Sequence, residues 1–264
     1  MTEGFLKNFS IDIQNKLYEK NTPDGLVEVY ETAYFGKILT INGQIHLSEQ
    51  DGFFYHEMMT HPAIFTHPLP KKLAIIGNTF GILTEVLKHE RIQEIACIDN
   101  HSHLMEAINL HFSSPHKEDT RIKSQAIDAA TWLSKCNDEA YDIIIHTEPA
   151  EDNFPEIRRV LTSNGIFVQP HAISLQQPDK LIALYEKIQQ SGFASWQLLN
   201  FSQPSYPSGW RVLSMATKHS VFKRVREIEV FNRSFTTRYY NFDVHKAALA
   251  LPEFANYLFN PDTL

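Results

Sequence analysis

Four ionisable side chains in the middle of the chain follow short apolar runs, and their placement suits recognition of a nucleoside. Asp99 ends the run Ile95-Ala96-Cys97-Ile98. A carboxylate at the end of a buried strand can accept hydrogen bonds from both hydroxyls of a ribose. Upstream, Leu73-Ala74-Ile75-Ile76 leads into Gly77-Asn78-Thr79-Phe80-Gly81, where two glycines let the backbone approach a ligand. Asp128 begins a predicted helix; it can cap that helix, accept from an adenine amino group, or do both. Tyr141 to Ile145 delivers His146-Thr147-Glu148-Pro149 to the same edge. The full G-x-G-x-x-G is missing, and a plain α/β crossover would also account for two glycines. Asp99 adds weight to the nucleoside reading, because ligands of open α/β sheets bind at strand C-termini.

The elements that must hold these residues follow from periodicity. The runs at 73–76, 95–98 and 141–145 are short and apolar throughout, as for strands buried on both faces. Between the first two, Ile82, Leu83, Val86 and Leu87 share one helical face, with Glu85, Lys88 and His89 predicted to turn away. Residues 1–62 read as β: Leu26 to Thr32 alternates, and Lys37 to Ile41 meets Gln44 to Leu47 across Asn42-Gly43, a hairpin signal. A helix beginning near Asp51 is expected to end or kink at Pro62. Its Tyr55 and His56 bring polar tips on rings, which suits a pocket wall better than a dry interior. Later come a helix from Glu156 to Leu161 closed by Asn164-Gly165, a strand at 166–168, a helix from Pro178 to Gln190, and a pair of strands at 194–201 and 210–217. The pattern predicts an α/β chain with a Rossmann-like, methyltransferase-type, mostly parallel sheet and a late antiparallel pair. A small N-terminal β domain (1–62) precedes the larger domain (63–264) and, being too small to hold much core alone, must pack on that domain or on a partner.

Composition narrows the function. The 264 residues are 43% hydrophobic and carry a formal charge of −7, which argues against general nucleic-acid binding and suits cationic small molecules. No apolar window is long enough for a membrane span, and Met1-Thr2-Glu3-Gly4 lacks a signal-peptide pattern. Cys97 and Cys136 have no metal-ligand spacing and the thirteen histidines are dispersed, so no metal site is read. Reduced thiols point to the cytoplasm.

Three stretches together resemble the polyamine aminopropyltransferases, the spermidine synthase family. They are Asn42 to Glu49 with Tyr55-His56-Glu57-Met58, then Ser205-Tyr206-Pro207-Ser208-Gly209, then Arg238-Tyr239-Tyr240-Asn241 with His245-Lys246-Ala247-Ala248. The resemblance implies transfer of an aminopropyl group from decarboxylated S-adenosylmethionine, a cosubstrate and not a prosthetic group, to putrescine, giving spermidine and methylthioadenosine. It also implies a homodimer. Departures are specific. Thr79 stands where the family's glycine loop has aspartate, His146-Thr147-Glu148-Pro149 replaces Asp-Ser-Thr-Asp-Pro with one residue fewer, and His46 replaces a glutamine. Asp99 stands at the ribose-binding acid and Asp128 at the adenine-binding aspartate.

That reaction sets two demands. The attacking amine, with a pKa near ~10.4, must lose a proton. Two cationic substrates must also be held together, although like charges 4 Å apart repel by roughly 4 kcal/mol at an effective dielectric of 20. Carboxylates meet both demands, so Glu148 is the expected general base or amine anchor, with His146 the competing base. Tyr55 and Tyr206 would flank the aminopropyl chain, and His46, His56, Gly77 and Thr79 would complete the binding surface. Because Thr79 cannot repel a carboxylate, intact S-adenosylmethionine is less strongly excluded, unless Glu49 or Glu57 does that work. A small-molecule methyltransferase and a catalytically silent nucleoside- or polyamine-binding family member are the alternatives.

Overall fold

The computed structural model describes residues 11–99, 102–112, 119–172, 177–219 and 221–255. It begins with an antiparallel meander, β1 (Ile13–Thr22), β2 (Gly25–Thr32), β3 (Gly36–Ile41) and β4 (Gln44–Ser48), in the order β1-β2-β3-β4. Helix α1 (Gly52–Thr66) leads into the larger unit. There β5 (Lys72–Ile76), α2 (Ile82–Leu87), β6 (Glu94–Ile98), α3 (Ser102–His111), β7 (Ile122–Gln125), α4 (Ala129–Lys135), β8 (Tyr141–His146), α5 (Phe154–Val160) and β9 (Leu161–His171) alternate. Helix α6 (Pro178–Gln190), the strands β10 (Ser195–Ser202) and β11 (Trp210–Thr217), and the helices α7 (Glu227–Phe231) and α8 (Phe242–Leu249) follow. The seven-stranded sheet runs β10-β11-β9-β8-β5-β6-β7. Strands β5 to β9 are parallel; β11 is antiparallel to β9, and β10 to β11. This is the mostly parallel sheet with a late antiparallel pair that the periodicity predicts.

The apolar runs are buried on both faces as expected, and successive residues feed different cores. Leu73 and Ile75 join a core with Met58, Met59 and Phe65 of α1, whereas Ala74 and Ile76 join one with Trp132 of α4 and Ile157 of α5. The small sheet is not self-sufficient: its Val27, Val29, Leu39 and Leu47 pack on Leu104, Ala107 and Ile108 of α3.

Three local expectations are corrected. Helix α1 runs through Pro62 to Thr66. A proline inside a helix costs about 3 kcal/mol, but α1 is buried without a break from Tyr55 to Thr66. Burial of Met58, Met59, Ile64 and Phe65, worth about 1.5–3 kcal/mol per side chain, outweighs that cost. Next, Leu161 to Gly165 belongs to β9 and not to the preceding helix. Leu161 pairs Tyr141 while Ile166 pairs Ile143, so the intervening residues bulge from the ladder. Finally, Glu85 and His89 are buried instead of facing solvent, because α1 lies against α2 and supplies His61. His61 Nε2 is 3.0 Å from Glu85 Oε2 and its Nδ1 is 2.9 Å from His89 Nε2.

Candidate active site

The C-terminal ends of the parallel strands form one edge, and backbone bonds tie its loops together. The Gly77 N–H donates to Ile98 O (2.7 Å), Asp99 N–H to Gln125 O (3.2 Å) and Thr147 N–H to Ile76 O (2.9 Å). Gly77, Asp99 and the 146–148 segment therefore share a ledge that crosses β8, β5 and β6. Gly77 adopts φ +93°, and a Cβ there would collide with the Thr147 hydroxyl, so the glycine is required by both conformation and space. Phe80 N–H donates to Asn78 Oδ1, an Asx turn that shapes the loop around half-buried Thr79. At the far side Asp128 caps α4, accepting from Thr131 N–H at 2.8 Å, and the Thr131 hydroxyl first, then this N–H, hold its carboxyl below the usual range. Its side chain stays exposed, so the capping bond leaves it open to a ligand.

Across β8, β9 and β11 the lining changes character. Tyr55 is buried, and its hydroxyl is pushed up to about 12 chiefly by that burial, with Arg211 opposing the rise and Glu148 adding to it. Tyr55, Glu148 and Arg211 are thus electrostatic neighbours. The guanidinium carbon of Arg211 lies 4.5 Å from the ring centroid of Tyr55 and 4.5 Å from that of Tyr206. His46, on β4, is solvent-accessible yet crowded by protein, as a side chain lining a concavity is; that crowding and Arg211 hold its pKa down to about 4. The 203–209 loop carrying Tyr206 is closed by Gly209 N–H donating to Tyr206 O (2.7 Å). It is tethered to the start of α1 by Ser205 N–H donating to buried Asp51 (2.6 Å).

Two predicted site residues are buried. His56 is buried beneath the glycine loop; Gly81, at φ +73°, has no room for a Cβ against its ring, and Phe80 meets it edge-on at 5.9 Å. Burial holds it at about 4, so it packs the loop as a neutral ring instead of offering charge to a substrate. His146 is buried at the end of β8. Its Nδ1 accepts from Glu148 N–H (3.3 Å), which leaves the proton on Nε2, and burial pushes its pKa down to about 4. The suggested substitute acids are also engaged. Glu57 accepts from the backbone N–H groups of Arg238, Tyr239 and Tyr240 at 2.8, 2.9 and 2.7 Å, and Glu49 accepts from Lys37 N–H at 3.0 Å.

The sequence reading missed Asp51 and Arg211. Asp51 precedes a helix and reads as a cap, but it serves the distant loop. Arg211 sits two residues beyond the Tyr-Pro-Ser-Gly stretch, where a cation beside a motif assigned to amines was the available signal.

A twisted, mostly parallel sheet with a glycine loop and carboxylates along its C-terminal edge defines a class, a Rossmann-like fold that seats a nucleoside-bearing molecule there. Comparison with known proteins narrows it. Residues 52–225 match the spermine/spermidine synthase domain and residues 5–49 the spermidine synthase tetramerisation domain. The chain is 36% identical to a polyamine aminopropyltransferase of Methylococcus capsulatus over 96% of its length and 94% of that protein. It is 33% identical to one of Halorhodospira halophila over 93% of each. A crystal structure of spermidine synthase from Thermotoga maritima superimposes with TM-score 0.87 at 25% identity, covering 95% of this chain and 90% of that one. A spermidine synthase in complex with the transition-state analogue AdoDATO gives 0.85 at 25% identity, covering 95% and 89%. The chain belongs to the spermine/spermidine synthase family.

Proposed function

We propose that the chain is an aminopropyltransferase of polyamine biosynthesis, using decarboxylated S-adenosylmethionine as cosubstrate and a diamine of the putrescine type as acceptor. Asp99 accepts from the ribose hydroxyls and Asp128 from the adenine amine. Tyr55 and Tyr206 pack on the methylenes between donor and acceptor. Glu148 takes the proton of the attacking ammonium. The nitrogen lone pair then forms the new C–N bond as the S–C bond breaks, and sulfur leaves as a neutral thioether. His46 stands at the mouth of the pocket. The observation that carries this reading is that Tyr55, Tyr206 and Glu148 gather beside the Gly77–Asp99 ledge, although they come from α1, the β10–β11 loop and the loop after β8.

The family's tetramerisation domain supports self-association, and we assign the chain to a homodimer or a multiple of one. The four-stranded sheet, with Ile13 and Leu17 partly exposed on β1, is the surface for it. Free Cys97 and Cys136 fit a cytoplasmic setting. The test is incubation with putrescine and each donor in turn, read by mass spectrometry. Spermidine with methylthioadenosine is expected from the decarboxylated donor. A methylated amine would move the chain to the methyltransferases, and no product would make it a silent binder.

A further inference from the structure

An alkyl transfer to nitrogen needs the free lone pair of an amine, and Arg211 is placed to favour it. Arg211 is the second residue of β11, and the next, Val212, pairs His171 at the C-terminal end of β9, so it rises at the edge that carries His146 and Glu148. Half-buried, its guanidinium carbon lies 4.5 Å from the ring centroids of both Tyr55 and Tyr206, and it makes no ion pair with a carboxylate among the described residues. Ring faces hold a cation but, unlike a carboxylate, do not cancel its charge. Its neighbours feel that charge. After burial it is the next influence on both His46 and Tyr55, and it joins burial against protonation of His56, where Glu85 opposes both. The other titratable groups around it are Glu148 on the loop after β8, Asp51, which holds Ser205 N–H, and His171, kept neutral by burial. Thr79 and His146 stand where the family resemblance places aspartates, so the pocket carries less negative charge than that pattern to retain an ammonium's proton.

Resting on the aminopropyl-transfer reading above, we propose that Arg211 activates the diamine acceptor: its charge, held beside the two tyrosines that flank the acceptor chain, disfavours the ammonium form of the reacting nitrogen. A like charge within a few Å destabilises a bound ammonium relative to the amine, and a neighbouring cation is one way to free a nucleophilic nitrogen. The N–H bond breaks and its proton passes to Glu148, the freed lone pair forms the C–N bond, and the S–C electrons leave on sulfur. Arg211 neither gives nor takes a proton at any step. The charge has a cost. What it does to ease proton loss it does equally to weaken binding of the dication, so Arg211 exchanges affinity for reactivity. A pocket lined by acids alone would bind the diamine tightly and hold its proton too.

The test is an NMR titration of isotope-labelled putrescine bound to the full chain with methylthioadenosine present. Arg211→Gln should raise the pKa of one putrescine nitrogen by about one unit, and Arg211→Lys should raise it much less. By the same coupling Arg211→Gln should bind putrescine about tenfold more tightly at pH 7, whereas damage to the pocket would weaken binding. In turnover the acid limb of kcat should move up by about one pH unit, with kcat and KM at pH 7 both falling about tenfold. An unchanged nitrogen pKa, or weaker putrescine binding, in folded Arg211→Gln overturns the proposal. The wild-type chain supplies a test that needs no variant. At pH 9, calorimetry in buffers of differing ionisation enthalpy should show about a third of a proton or more released per putrescine bound. No release, or uptake, overturns the proposal even if the variants do not fold. Mass spectrometry of the products separates the two readings. Spermidine formed with no pKa shift in the variant sinks the role of Arg211 and keeps the transferase. A shift without product sinks the transferase and keeps the effect of Arg211 on a bound amine. Failure of putrescine to bind overturns the proposal, and product from another diamine would still keep the transferase.

Discussion

On one side of the sheet edge, across β5, β6 and β7, the ledge is placed by neighbouring strands. Gly77 bonds to the end of β6 and Asp99 to the end of β7, and the carboxylates keep exposed surface. On the other side, across β8, β9 and β11, the lining is held by side chains that reach across the fold. Asp51 holds Ser205, His171 Nε2 lies 2.8 Å from Ser214 Oγ, and Gln169 accepts from Ala150 N–H at 3.1 Å. The first side comes with the parallel sheet itself and asks only for a glycine and an acid at each strand end. The second depends on matched residues far apart in the chain, and His46 and His146 depart from the family pattern there, while Thr79 departs on the glycine loop of the first. Placement by a ladder fixes the backbone whatever side chain the loop carries; placement by tethers fixes the loops through the side chains themselves.

The largest effect that sharpens this contrast is expected at Glu148. Glu148→Gln keeps size and hydrogen bonding but cannot take a proton, and turnover should fall by about 10²–10⁴ with methylthioadenosine affinity unmoved. His146→Ala should change turnover only a few-fold. The reverse result in steady-state kinetics would move the base to His146.

Acid should act on the buried rings of both sides. Burial holds His56, His146 and His171 at about 4 in the fold against 6.5 outside it. The unfolded chain therefore binds more protons than the native chain as pH falls from about 6.5 to 4, so stability is full above that window and is lost through it. Each shift corresponds to roughly 3 kcal/mol at its full extent. Urea midpoints at pH 7.5, 5.5 and 4.5 should drop steeply, before the carboxylate of Asp128 titrates. A flat series would mean that these rings charge without unfolding the pocket.

On the ladder side the effects are smaller. Asp99→Ala should weaken methylthioadenosine binding by about 1.5–3 kcal/mol; unchanged calorimetric affinity in a folded variant would remove Asp99 from the site. Asp128→Asn keeps the helix cap and should cost about two- to tenfold in the same affinity. Asp128→Ala should add a loss of thermal stability through the cap. If both variants bind as the wild type does and melt apart, Asp128 is a cap alone.

This contrast also explains what could be read in advance. Runs such as 73–76 name their own structure, because four apolar residues bounded by turn residues have few other uses in a soluble α/β chain, and the strand ends then locate Asp99 and Gly77. The tethered side was opaque. Helical periodicity assigns Glu85 and His89 to solvent because it sees only their own helix, whereas His61, 24 and 28 residues away, makes both burials tolerable. Pro62 looked like a helix end because local propensity cannot register a helix enclosed on all sides. Arg211 was passed over because its meaning lies in two rings, one of them 156 positions earlier. The Arg238-Tyr239-Tyr240 stretch was legible as a family mark, but its backbone N–H groups do the holding, and no side-chain pattern announces that.

The hold on Glu57 has a consequence for how the chain is made. Its donors lie 181 to 183 residues downstream. Helix α1 is among the early elements to leave a ribosome, yet its buried carboxylate stays without those donors until most of the chain has been synthesised. Contacts of such long sequence separation close late and slow folding. Until Tyr240 emerges, the nascent protein has every strand of its sheet but lacks the latch on the helix beneath its pocket. A message cut short before that point would yield a chain with a buried, uncompensated charge, marked for aggregation or degradation and not for partial activity.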